Sequence, residues 1–213
     1  MTTPEIIGSA RSTYTWAIRL LCEEKGIAYT LTETPLRAPE IFAIHPFGKM
    51  PVLHHDGVEL FESKAIATYL DHSFGGPRLF PSDPRPLALT EQWVSLVNTL
   101  IDRTLIRTYL FVYIAPKTAD GRPDRAAIEA VMPMVREQVA VLDKAVAHGG
   151  YLVDDLFTYA DVNLLPILYR LRQAPEGAEV LAAATHLARY YDRLATRHSF
   201  AHTRPPDGPP RRS

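Results

Sequence analysis

The stretch HPFGKMPVLHHDGVELFESKAI, residues 45–66, decides the fold. Asp56-Gly57 separates two short apolar runs, Pro51–His55 and Val58–Phe61, the pattern of a tight antiparallel hairpin. Ser63 then opens a helical pattern with Ala65, Ile66, Tyr69 and Leu70 on its apolar face. Upstream, Glu5–Gly8 reads as a short strand. Tyr14 to Lys25 carries Ile18, Leu21 and Cys22 at helical spacing and stops at Gly26, and Ala28–Glu33 reads as a second strand. The order is strand, helix, strand, a loop with room for a short helix, strand, hairpin, strand, helix. The opening βαβ piece implies parallel pairing and the hairpin antiparallel pairing, so a small mixed sheet with helices on its faces is expected.

Beyond this the chain changes character. Gly75 to Pro86 holds Pro77, Pro81, Pro84 and Pro86 and reads as a linker. After it no convincing strand appears. Leu87–Ala115 predicts one long helix and Asp124–His148 a second, with a kink or break expected at Pro133. Gly149-Gly150 ends the second. Ala160–Gln173 and roughly Ala178–Thr196 supply further helices. The expected organisation is an α/β domain over 1–76, a linker over 77–87, an all-helical domain over 88–204 and a frayed proline-rich tail over 205–213.

The 213 residues suit one large or two small domains. The formal net charge of −1 gives no basic excess for nucleic acid and no acidic excess for a solvating tail. No apolar run approaches a membrane span, and MTTPEIIGSARS lacks the pattern of a secretory signal. The single cysteine, Cys22, forms no internal disulfide, and its spacing with Ile18 and Leu21 makes it a core thiol. Eight histidines are scattered, and the adjacent His54 and His55 point to opposite faces of a strand, so no metal site is expected.

Three segments carry candidate chemistry. Gly8-Ser9-Ala10-Arg11-Ser12-Thr13-Tyr14-Thr15 joins the first strand to the first helix. A helix N-terminus offers unpaired N–H groups and a positive dipole end, which favour an anionic sulfur. No cysteine stands there, but a hydroxyl donating to a sulfur brought by a ligand does the same work. The plainer role of such a hydroxyl is an N-cap. Next, Lys49-Met50-Pro51 opens an apolar strand. A cis bond there would turn the Met50 N–H and C=O outward, ready to pair with an extended peptide; a trans proline would only punctuate the strand. Lys49 is a solvated charge or a partner for a carboxylate. Last, Ser63 and the N–H groups after it form a carboxylate site at a helix start, beside Glu62, which suits an ammonium group. An N-cap with an adjacent acid has the same appearance.

At this point the sequence resembles the cytosolic glutathione S-transferase family, serine-type, bacterial-like or phi-, tau- or zeta-like. The resemblance lies in SARSTYTWAIRLLCEEKGIAY, HPFGKMPVLHHDGVELFESKAIATYLDH and LFTYADVNLLPIL, and so covers nearly the whole chain. It implies a thioredoxin-like N-terminal domain followed by an α-helical bundle. It also implies glutathione as co-substrate and a cytoplasmic homodimer active in detoxification. Ser12 matches the hydroxyl that activates the thiol, with Ser9, Thr13 and Tyr14 as competing hydroxyls. Met50 matches the residue whose backbone pairs with the cysteinyl moiety, Pro51 the family's cis-proline, and Glu62 and Ser63 the pair holding the γ-glutamyl end. Lys49 lies where several classes contact the glycyl carboxylate, and Thr158-Tyr159-Ala160-Asp161 matches the family's capping box. His45 departs from the pattern, standing where many members have Asn.

The implied reaction is attack of the glutathione thiolate on a mostly apolar electrophile bound between the domains, with no metal and no covalent enzyme intermediate. Tyr14, Arg107, Tyr109 and Tyr113 are candidates for contacting that electrophile; Tyr109 and Tyr113 share a helix face, and residues so placed are more often core or dimer packing. A glutathione-dependent isomerase, dehalogenase or peroxidase would use the same thiolate. A non-catalytic binding or regulatory protein on this scaffold is the rival from another class.

Overall fold

The computed structural model describes residues 2–116 and 118–205. The chain divides into two compact units: residues up to Phe80 together with the segment from Thr196, and Pro81–Ala195.

The first unit is built on β1 (Glu5–Gly8), α1 (Thr13–Lys25), β2 (Thr30–Glu33), α2 (Pro39–Phe42), β3 (Val52–His55), β4 (Val58–Phe61) and α3 (Ser63–Ser73). The sheet order is β2-β1-β3-β4. β1 and β2 run parallel, while β1/β3 and β3/β4 are antiparallel. This is the mixed sheet that the alternation of elements predicts, and the thioredoxin-like one that the resemblance implies. Asp56 (φ 47°) and Gly57 (φ 78°) both take the left-handed conformation that a two-residue hairpin demands. Side-chain alternation puts Ile7 and Val52 with Ile41 of α2 on one face, and sends the fully buried Ile6 and Leu53 to the other. α1 packs against α3. Cys22, 0 % exposed, is a core thiol whose pKa burial pushes well up.

A buried ion pair closes this unit. The Lys25 ammonium lies 3.0 Å from Asp71 Oδ1, with neither side chain exposed, and also donates to the Pro77 carbonyl at 3.0 Å. Asp71 accepts in addition from the N–H groups of Leu79 (2.9 Å) and Phe80 (3.3 Å). The end of α1, α3 and the start of the linker are thus pinned together. Removing one partner strands the other charge, which typically costs about 3–5 kcal/mol. Lys25→Met is expected to lower the unfolding free energy by about 3 kcal/mol, since the two N–H donors still hold Asp71. Denaturant unfolding followed at Trp16 measures it, and a loss under about 1 kcal/mol would contradict the assignment.

The segment from Thr196 forms α10 (His198–Thr203) after the helices described below, and it belongs with the first unit, not with the helical domain that the sequence reading extended to 204. Its fastenings to α1 give the reason. Trp16 Nε1 donates to Thr203 Oγ1 at 2.7 Å and Arg19 to the Thr203 carbonyl at 2.9 Å. Arg197 grips Glu24 with two bonds of 2.6 Å. Burial works to raise the Glu24 pKa, but the bonds from Arg197 and Ser199 outweigh it, so the net direction is down. Pro205 is buried, and the rest of the expected tail lies outside the described residues.

The helical unit comprises α4 (Pro84–Leu96), α5 (Phe111–Ile114), α6 (Arg125–Ala145), α7 (Tyr159–Leu171), α8 (Pro175–Ala183) and α9 (Thr185–Ala195). α4 starts earlier than expected because Asp83 caps it through the Arg85 N–H and Pro84 occupies the first turn, where a proline loses no bond. The single helix expected over 87–115 is continuous, but Val97–Ile101 and Arg103–Leu110 are widened to π-helix. Thr108 Oγ1 accordingly reaches the carbonyl five residues back, of Arg103, at 2.9 Å. α6 runs through Pro133 unbroken, since the proline and Glu129, whose carbonyl it frees, both lie on the exposed face, open to solvent. The expected last helix is two, α8 and α9, separated at Ala184. Every residue of α7 is buried, making it the axis of this unit. No helix among the described residues is long and apolar enough to cross a membrane.

Candidate functional site

The β1–α1 turn fixes the first part of the site. Gly8 passes so close to α1 that a Cβ there would meet Thr15 Oγ1 at 2.7 Å and Met50 Cβ at 3.3 Å. Only glycine lets the loop that follows lie against the Pro51 turn. Ser12 is the N-cap of α1: its Oγ accepts from the Thr15 N–H at 3.4 Å, and its own N–H donates to the Ser9 carbonyl at 2.9 Å. The cap uses Oγ as acceptor only, and the Ser12 O–H has no acceptor among the described residues. Thr13 Oγ1 and Thr15 Oγ1 are buried and without partners. Ser9 Oγ accepts from the Arg11 N–H at 3.3 Å, and Tyr14 is half-buried.

The second part is the turn into β3. The Met50–Pro51 bond is cis. Pro51 is buried, Met50 half-buried and Lys49 exposed. The Ser9 N–H meets Met50 Sδ at 3.3 Å, joining this turn to the Ser12 loop. The Met50 backbone N–H and C=O have no partner among the described residues.

The third part is the start of α3. The helix begins at Ser63, which is 7 % exposed, so the N-cap is Glu62 and not the serine. Glu62 makes no side-chain cap bond and holds φ 66°, ψ 114°, a conformation that a residue with a side chain rarely adopts. Its carboxylate is 67 % exposed and faces His45 Nε2 at 3.6 Å. The structure therefore brings Ser12, Met50, Pro51, Glu62 and Ser63 onto three adjoining turns at one end of the sheet, with Lys49 on the middle one.

The residues proposed for the electrophile fare differently. Tyr109 is 0 % exposed, and its hydroxyl donates to Glu176 Oε2 at 3.0 Å while accepting from the Gly177 N–H at 2.8 Å. It is a core residue fastened to the start of α8, which removes it from the candidate contacts. Tyr113 donates to the same Glu176 oxygen, and its ring meets that of Tyr109 edge-on at 5.8 Å. Arg107 pairs with the buried Asp102 at 2.9 Å and lies over the Phe111 ring, so its charge serves the helix first. The sequence reading missed Glu176 and Arg125, which meet at 2.6 Å. Burial works to raise the Glu176 pKa, and the bonds from Tyr113, Arg125 and Tyr109 outweigh it and hold it at about 2. Partners 63 and 67 residues apart leave no local pattern to read.

Comparison with known proteins finds relatives for both parts of the chain. The family description "Glutathione S-transferase, N-terminal domain" matches residues 11–73, and "Glutathione S-transferase, C-terminal domain" matches residues 101–198. Glutathione S-transferase F10 of Arabidopsis thaliana is 28 % identical over 185 residues, covering 83 % of this chain and 85 % of its own. Glutathione S-transferase 3 of Zea mays is 28 % identical over 203 residues, covering 87 % and 86 %. Among solved structures, glutathione transferase F7 of Populus trichocarpa superposes with a TM-score of 0.85 at 22 % identity, over 94 % of this chain and 97 % of that one. A glutathione S-transferase of Methylobacillus flagellatus KT, solved with glutathione bound, superposes with a TM-score of 0.80 at 25 % identity, over 95 % and 99 %. With both halves of one family matched in order on this fold, the chain belongs to the glutathione S-transferase family.

Proposed function

We propose that this chain is a glutathione transferase that uses Ser12 to hold the glutathione thiol as thiolate for attack on an electrophile. The observation that carries the reading is the Ser12 hydroxyl. It caps α1 as an acceptor, keeps its proton for an outside partner and sits at the positive end of the helix. Thr13, its nearest competitor, has its oxygen shut inside. The neighbouring turns fit the rest of the tripeptide. The unpaired Met50 backbone groups suit the cysteinyl unit as a strand would, and the exposed Glu62 carboxylate suits the γ-glutamyl ammonium. The first turn of α3 at Ser63 suits the γ-glutamyl carboxylate, and Lys49, which has no ion-pair partner among the described residues, suits the glycyl carboxylate.

Glutathione is the co-substrate in this reading, and Tyr113, half-buried where Tyr109 is enclosed, is the helical residue kept as a candidate contact for the electrophile. The protein acts as a cytoplasmic homodimer in detoxification; exposed apolar side chains of the first unit, Phe47 at 71 % and Leu36 at 63 %, supply area for self-association. Retention on immobilised glutathione, release by free glutathione and conjugation of an activated aryl halide are the expected results. A protein that neither binds the tripeptide nor turns over the halide would be a scaffold without this chemistry.

A further inference from the structure

His45 lies in the turn after α2, and its surroundings fix it closely. The ring is 3 % exposed. Its Nδ1 accepts the Phe47 N–H at 3.0 Å, which leaves the ring proton on Nε2. The ring packs at a 46° tilt against Phe61 with centroids 4.9 Å apart, which restricts its movement. The backbone on either side is tied as well, with the His45 N–H on the Ile41 carbonyl at 2.7 Å and the Gly48 N–H on the His45 carbonyl at 3.0 Å. The Nε2–H then faces Glu62 Oε1 at 3.6 Å, just beyond hydrogen-bond length, and no other side chain among the described residues pairs with that carboxylate.

The geometry points to His45 as a positioning residue that aims the Glu62 carboxylate at the γ-glutamyl ammonium of glutathione. This rests on the glutathione reading above and adds to it the group behind the recognised carboxylate. An exposed glutamate samples many rotamers, and ordering one costs binding free energy. A rigid donor behind it removes part of that cost in advance. The left-handed backbone of Glu62 is the second sign that the surroundings determine where this side chain goes, since such a conformation persists only where they do. Phe61, directly before Glu62, supplies the surface on which the imidazole rests, so donor and acceptor are built from one packed unit.

Two substitutions separate this role from loop packing. His45→Asn keeps an acceptor near the Nδ1 position for the Phe47 N–H and deletes the arm that reaches Glu62. His45→Gln keeps a donor near the Nε2 position. The probes are glutathione and glutaryl-cysteinyl-glycine, the same tripeptide without the α-amino group. Wild type is expected to bind glutathione the more tightly. His45→Asn should lower that preference about tenfold, the factor that about 1.4 kcal/mol represents, through weaker glutathione binding alone. His45→Gln should restore most of it. Equal weakening of both ligands in His45→Asn would mean a purely structural role, and an unchanged preference would mean no role; either overturns the inference while the glutathione reading stands. A wild type that binds neither ligand would overturn both.

Discussion

Ser12→Ala is expected to bind glutathione and to lose most of its thiolate at neutral pH. A free thiol of pKa about 8.5, lowered by roughly two units, is about half ionised at pH 6.5; returned to 8.5, it is only about 1 % ionised. The hydroxyl shares this work with the α1 N-terminus, which the variant keeps. Two units is therefore the ceiling, and turnover at pH 6.5 should fall between about 10- and 50-fold, the gap narrowing as pH rises past 9. The ultraviolet band of bound thiolate, titrated against pH, reads this directly. The substitution also removes the cap bond to the Thr15 N–H, worth about 1 kcal/mol. Ser12→Asp tells the two losses apart. Aspartate is a good N-cap, so that variant should stay as stable as wild type. Its negative charge would oppose the sulfur anion, so its thiolate band should move to still higher pH. A band that stays in place in both variants would transfer the role to Ser9 or Tyr14.

What could be read in the sequence was whatever is encoded within a few residues. The Asp56-Gly57 turn, the Gly26 end of α1 and the Thr158–Asp161 box each depend on neighbours, and each lies where the pattern put it. The segments around Ser12, Met50 and Glu62 were legible as three separate weak signals, and family resemblance supplied the reason to join them. The rest depends on contacts distant in sequence. α10 is claimed by α1 through bonds spanning 173 to 187 residues, which no window along the chain contains. The spacing of Tyr109 and Tyr113 suits both a pocket wall and core packing, and only Glu176 and Gly177 reveal where their hydroxyls go. The π-widened stretch keeps the apolar spacing of an ordinary helix, so periodicity could not announce it. His45 was visible only as a departure from a pattern, and its meaning came from Phe47, Phe61 and Glu62 around it.

Asp161→Ala is the substitution expected to damage the fold most. Its carboxyl is 0 % exposed and stands at the start of α7, the helix buried along its whole length. Oδ2 accepts from the Thr158 N–H at 2.8 Å, completing the capping box, and Oδ1 accepts from the Leu152 N–H at 3.0 Å and the Tyr190 hydroxyl at 2.9 Å. One side chain thus ties the loop at 152, the cap of α7 and α9. Burial pushes its pKa up, and the donors pull the other way without cancelling it. Alanine would leave those donors in a dry interior with nothing to bind, at about 1–3 kcal/mol each. Because water and relaxation recover part of this, the net loss should be about 4 kcal/mol, or roughly 8–16 °C in Tm for a chain of this size. Asp161→Asn should be little better, since its amide N–H₂ must face one of the backbone donors. A double-mutant cycle with Tyr190→Phe tests the attribution: alone, Tyr190→Phe should cost about 1 kcal/mol, and in the Asp161→Ala background nearly nothing, because the acceptor is already gone. Full additivity, or a loss in Asp161→Ala below about 1 kcal/mol by thermal melting, would show that the carboxyl is not the tie between these elements.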